Sequence, residues 1–169
     1  MQRFGPENAT LTVRTKRTGA ASKAGHDLVI EVTSWSATLD LDADPALTLT
    51  ADASSLRVLD GTGGVQALDD GDKAGIAQTI DEEVFEGTAI EFRSTSVEAG
   101  DPIRVEGELE LRGERRPIAF ELTSRDGCFT GTAVVRQTDW GMKPYTALFG
   151  TLKVADEVQV EVETEPHGA

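Results

Sequence analysis

Residues 103 to 124 read "IRVEGELELRGERRPIAFELTS". Ile103, Val105, Gly107, Leu109 and Leu111 share one parity; Arg104, Glu106, Glu108 and Glu110 share the other. A period of two with one apolar and one charged face marks a half-buried β-strand. "RGERR" is long enough only for a hairpin, so the two runs it joins pair antiparallel. The next run, "CFTGTAVVRQ" at 128–137, follows Asp126-Gly127, the strongest two-residue hairpin signal in the chain. "TAIEFRSTSV" at 88–97 leads in through "EAGDP". These four runs form an antiparallel meander.

The first half alternates in the same way. "ATLTVRT" places Leu11 and Val13 on one face, and "DLVIEVT" does so with Leu28, Ile30 and Val32. "WSATLDL" continues with Trp35, Ala37, Leu39 and Leu41, but the apolar parity has changed, which predicts a turn or bulge at Thr33-Ser34. "ALTLTAD" adds Leu47 and Leu49, and "SSLRVLD" extends or restarts that strand. The last strand is "TLKVADEVQVEVETE", with Val158, Val160 and Val162 on one face, and the terminal "HGA" is expected to fray.

One segment breaks the alternation. After the glycine loop "GTGG", Ile76, Ile80 and Val84 recur at four-residue spacing, with Asp69, Asp70 and Asp72 ahead of them. This predicts a helix over roughly 71–83, acid-capped at its start, with Phe85 just beyond its end. About eight to ten strands and one helix, with no interior linker, predict one all-β domain over 1–169 whose core spans about 9–164. A single antiparallel barrel leaves no open edge, whereas a two-sheet sandwich, the alternative, leaves several.

Composition narrows the function. The chain has 169 residues and a net charge of −14, an acidity that repels nucleic acid. Cys128 is the only cysteine, so no intrachain disulfide forms, and the two histidines, His26 and His167, are too few for a His/Cys zinc site. No apolar h-region opens the chain and no run is long enough to span a membrane, so a cytoplasmic location is expected.

The catalytic and metal signals are weak. "DLDADP" begins like a calcium loop, but Pro45 and Ala51 stand where Gly and Glu are needed. "GTGG" lacks the Gly-Lys-Ser/Thr ending of a phosphate loop. A nucleophilic triad has only His26 as base and no G-x-S-x-G. The basic run "RTKRTGAASK" (Arg14, Lys16, Arg17, Lys23) reads as an exposed hairpin that can also attract an anionic head group or transiently touch a membrane surface. His26 reads as a rim histidine bonded to a neighbouring loop, or as a polar contact at a cavity mouth. Gly107, Gly131 and Ala133 are small residues on inward parities, which either leave apolar space or mark close packing.

"AGHDLVIEVTSWSATLDL", the helix followed by "IEFRSTSV", "VEGELELRGERRPIAFEL" and "RQTDWGMKPYTALFGTLKVADEVQVEVE" occur in an order and spacing that resemble the YceI-like proteins. The resemblance covers roughly residues 9 to 164. It implies an eight-stranded lipocalin-like barrel that encloses a polyisoprenoid, isoprenoid quinone or fatty-acid-like chain without catalysis or cofactor, as a monomer or homodimer. Two departures bear on head-group contacts: Gln137 stands where the family often has Arg, and Asp72-Lys73 replaces an Arg-Asp pair. Inward strand residues Ile30, Trp35, Phe92, Leu109, Phe120 and Phe129 are the expected pocket wall. His26, Trp140, Met142, Tyr145 and Phe149 are expected at its mouth, the last four as a plug or lid shaped by Gly141 and Pro144.

Overall fold

The computed structural model describes residues 1–166; His167 and the expected fraying tail lie outside the described residues. The chain forms β1 (Gln2–Phe4), β2 (Ala9–Thr15), β3 (Arg17–Thr18), β4 (His26–Val32), β5 (Trp35–Asp40), β6 (Ala46–Asp52) and β7 (Leu56–Gly63). A helix α1 (Asp70–Thr79) continues as a wider π-helical turn over Ile80–Phe85. Then come β8 (Ala89–Glu98), β9 (Ile103–Leu111), β10 (Glu114–Arg125), β11 (Cys128–Arg136), β12 (Thr146–Ala147), β13 (Leu152–Val154) and β14 (Glu157–Thr164).

Eleven strands make one curled antiparallel sheet in the order β1-β5-β6-β8-β9-β10-β11-β14-β2-β4-β7, and β12-β13-β3 form a separate small sheet. The sandwich alternative is therefore excluded, and the count of eight is not what the ladders give. The extra strands have local causes. The parity change after Val32 splits one long strand into β4 and β5, as Thr33-Ser34 predicts. Its partner breaks at the same level, where Asp52 caps a short 3-10 turn, Ala53–Ser55, by accepting the Ser54 N–H. The two breaks are pinned together: Thr33 N–H donates to the Ser55 carbonyl at 3.1 Å, and Asp52 N–H to the Ser34 carbonyl at 3.0 Å. A further strand, β1, lies ahead of the expected core and pairs with β5. Its Phe4 meets Phe129 edge-to-face, ring centres 5.9 Å apart.

Turn chemistry fixes the meander register. Arg112-Gly113 and Asp126-Gly127 both take positive φ, the mirror-image turn that matches strand twist. Val105 thereby pairs with both Val97 and Phe120, keeping one parity inward across three strands. The outward parity carries ion pairs, including Arg115–Glu110 at 2.6 Å and Arg14–Glu161 at 2.8 Å. Gly107 answers its alternative: a Cβ there would lie 2.5 Å from both the Arg93 carbonyl oxygen and the Phe92 ring, so the glycine admits the ring. Gly131 is close-packed too, since a Cβ there would lie 2.5 Å from the Leu122 side chain and 2.9 Å from the Glu121 carbonyl oxygen; Ala133 borders the interior cavity.

The helix starts one residue earlier than predicted. Asp69 and Asp72 form a reciprocal capping box, each accepting the other's N–H at 2.8 and 3.1 Å. Phe85 is the last residue of the π-helical turn rather than lying past it. Among the described residues, no helix is long and apolar enough to cross a membrane.

Candidate functional site

Every strand of the eleven-stranded sheet sends at least one side chain to the wall of a single cavity of ≈ 830 Å³. The alternation that makes each strand half-buried therefore also makes the wall. Phe92 and Phe120 pack with ring centres 5.5 Å apart on one side. Leu11, Val13, Val158, Val160 and Val162 line another, from strands whose small β-branched residues leave the space open. The helical stripe Ile76, Ile80 and Val84 forms the roof.

Charge is confined to one end. The charged or titratable residues in the wall are Arg17, His26, Asp72, Tyr145 and Lys153. Apart from Thr132, its exposed residues are Ala24, Gly71, Asp72, Gly75, Tyr145 and Lys153, and they mark an opening between α1 and the segment 137–156. Arg17 ties this rim together. Its guanidinium donates to the Gly25 carbonyl at 2.7 Å and the Thr62 carbonyl at 2.9 Å. Gly63 must be glycine for this: φ is +88°, and a Cβ would sit 1.4 Å from the guanidinium nitrogen. The Arg17 N–H donates to Asp27 at 2.8 Å, and this bond, with Lys16 nearby, holds the Asp27 carboxyl below its usual value. His26 Nε2 shares a hydrogen bond with the Gln66 carbonyl at 2.7 Å, so it is bonded to the loop and lines the mouth as well.

Ile30, Trp35, Phe92, Leu109, Phe120 and Phe129 all lie in the wall. The mouth residues divide. Met142 is buried and lines the cavity, and Tyr145 lines it while exposed. Trp140 is 3% exposed but outside the wall, its indole N–H donating to the Leu109 carbonyl at 2.7 Å. It is a structural anchor under the strap 137–156, not part of the mouth. Phe149 also lies outside the wall: it takes φ +55° and points fully into solvent. Gln137 is buried in the wall, its amide donating to the Ala155 carbonyl at 3.0 Å.

Sequence reasoning missed Arg17 as a site residue because it sits inside a basic run that reads as solvated. It also passed over the valines and leucines of β2, β6 and β14. Their inward parity was visible, but aromatic residues drew the choice.

An apolar cavity wrapped by a curled antiparallel sheet, with its charged groups gathered at one rim, has the shape and chemistry to take an apolar guest. The YceI-like domain model matches residues 5–166, and the chain belongs to that family. Among solved structures, BcnA of Burkholderia cenocepacia is similar at a TM-score of 0.62 and 16% identity, covering 92% of this chain and 94% of its own. A Campylobacter jejuni YceI protein is similar at 0.58 and 14% identity, covering 83% and 84%. At these identities the likeness concerns the fold. No curated protein matches the chain.

Proposed function

We propose that the protein binds a hydrophobic chain, of polyisoprenoid, isoprenoid quinone or fatty-acid type, inside a closed barrel, without catalysis. The observation that carries this is the ≈ 830 Å³ cavity with its aliphatic and aromatic wall. Closure is supported by the bent strands: with β4–β5 and β6–β7 each taken as one strand, the order runs round eight strands and returns to its start. Apolar cavities stay dry and take apolar guests. Burying ~400 Å² of ligand surface contributes roughly 10 kcal/mol at ~25 cal/mol/Å². Association costs of several kcal/mol leave about micromolar affinity or tighter. Deep in the cavity no ion pair is needed, and Arg17 and His26 stand at the rim where a polar head would lie. Cytoplasmic residence and a carrier or storage role are part of the same reading.

A side-chain-filled barrel serving as an interaction module would leave no continuous cavity, so the space itself favours the binding reading. The test fills it. Ala37→Leu and Ala133→Phe, on separate walls, are each expected to weaken uptake of a fluorescent fatty-acid probe at least tenfold, with cooperative thermal unfolding retained. Undiminished uptake by both folded variants would refute chain binding in the cavity.

A further inference from the structure

Four of the five lysines, Lys16, Lys23, Lys143 and Lys153, lie in segments 16–24 and 143–155, which meet along one edge of the molecule. That edge is tied by backbone hydrogen bonds: Ala155 N–H to the Lys16 carbonyl at 2.7 Å, Ala21 N–H to Thr151 at 2.9 Å and Val154 N–H to Tyr145 at 3.0 Å. Lys153 sits across the small sheet from Thr18 on one side and Thr146 on the other. All four side chains are exposed. Lys16 reaches Asp27 at 3.4 Å, whereas among the described residues Lys23, Lys143 and Lys153 have no ion-pair partner. Arginines on the outer sheet face are different: Arg14, Arg104, Arg115 and Arg136 each hold a glutamate. In a chain of net charge −14, unpaired lysines collected on one edge are a local reversal of sign.

The same edge carries apolar side chains turned outward. Between β12 and β13, Leu148 is 54% exposed and Phe149 fully exposed, beside Tyr145 at 42%. Leu148 and Phe149 take φ of +50° and +55°, a left-handed backbone that bulky residues rarely adopt. The conformation holds both side chains away from the protein. Directly behind this tip, Tyr145, Ala147, Leu152 and Val154 line the cavity.

We infer that this edge docks on an anionic lipid surface, with Leu148 and Phe149 entering the head-group layer and the lysines against lipid phosphates. Outward apolar residues ringed by lysines are the interfacial pattern, because lysine stems lie along apolar surface while their ammonium groups reach the phosphates. Docking turns the cavity mouth toward the bilayer. The overall negative charge does not prevent it, since screening at physiological salt acts over ~8 Å and leaves the facing edge in control. A symmetric contact between two copies would oppose lysine with lysine. Asp72 lies in the wall across the same mouth, with exposed Asp70 two residues before it, and both oppose docking, so the strap side makes the contact.

The test is flotation of the full chain with phosphatidylcholine vesicles, with and without 30% phosphatidylglycerol, at 50 and 500 mM NaCl. The wild type is expected to float with the anionic vesicles at low salt and to be released at high salt. Leu148→Ser with Phe149→Ser, and separately Lys23→Gln with Lys143→Gln, should each lower partitioning at least fivefold at unchanged Tm. Asp70→Asn should raise it. Absence of wild-type binding to anionic vesicles at low salt, or equal binding by both double variants, overturns the inference. So does a concentration-dependent dimer that Phe149→Ser disperses. Probe uptake from solution tests the cavity separately, and vesicle failure leaves that reading intact.

Discussion

Replacing Trp140 separates the two ways in which the strap could serve the cavity. Its side chain is 3% exposed, and its N–H is held by the Leu109 carbonyl at 2.7 Å, yet it contributes nothing to the wall. Truncation of a buried Trp to Ala costs about 3–5 kcal/mol. At roughly 2–4 °C per kcal/mol for a domain of this size, Trp140→Ala should lower Tm by about 6–20 °C. Trp140→Phe keeps most of the apolar area and loses mainly the hydrogen bond, so about 1 kcal/mol is expected. The assay is circular-dichroism melting, with fatty-acid-probe titration well below each variant's Tm. Probe affinity should stay within about twofold of wild type, well under the tenfold that 1.4 kcal/mol would represent. A Trp140→Ala variant that melts like wild type, or one that stays folded and loses the probe, would refute the anchor assignment.

Two further predictions concern packing and pH. Gly107→Ala should destabilise by about 1–3 kcal/mol through overpacking, because its Cβ would meet a backbone carbonyl at 2.5 Å as well as the Phe92 ring; urea unfolding that shows no loss would contradict that contact. Asp27 has its carboxyl pKa lowered, first by the Arg17 N–H and then by Lys16. The ionised form is thus favoured by folding, so its stabilisation is fully present above the ordinary value of 3.8 and lost as pH falls through the depressed one. The Tm gap between wild type and Asp27→Asn should be steady from neutral pH down to about 5 and close below 3.8. A gap independent of pH would mean that the charge contributes nothing.

Strands and turns were legible because their signals are local. Two-residue alternation, the Asp126-Gly127 turn and the parity change at Thr33-Ser34 each follow from a few neighbouring residues. So did the helix, whose acidic start becomes a capping box. The strap was not legible in this way. β3, β12 and β13 have only two or three residues each, too few for a period, and they are held by pairings across the chain such as Lys153 with Thr18. Trp140 looked like a mouth residue because it is large and sits in a loop. Its place is set by a hydrogen bond to a residue 31 positions away, which no local pattern encodes. Phe149 looked like a mouth residue because it is aromatic, and a left-handed backbone turned it outward. The wall itself was visible as parity; how much open space the small residues would leave was not, since Gly107 admits a ring and Gly131 seats Leu122, while Ala133 borders the cavity.

The central claim is that the cavity holds an apolar chain, and native mass spectrometry of gently purified protein tests it most directly. The account predicts a bound species that leaves only on strong collisional activation and whose mass, after solvent extraction, is that of a chain lipid. Repeated preparations at the bare polypeptide mass, which also fail to take up polyisoprenoid, quinone or fatty-acid probes, would contradict it.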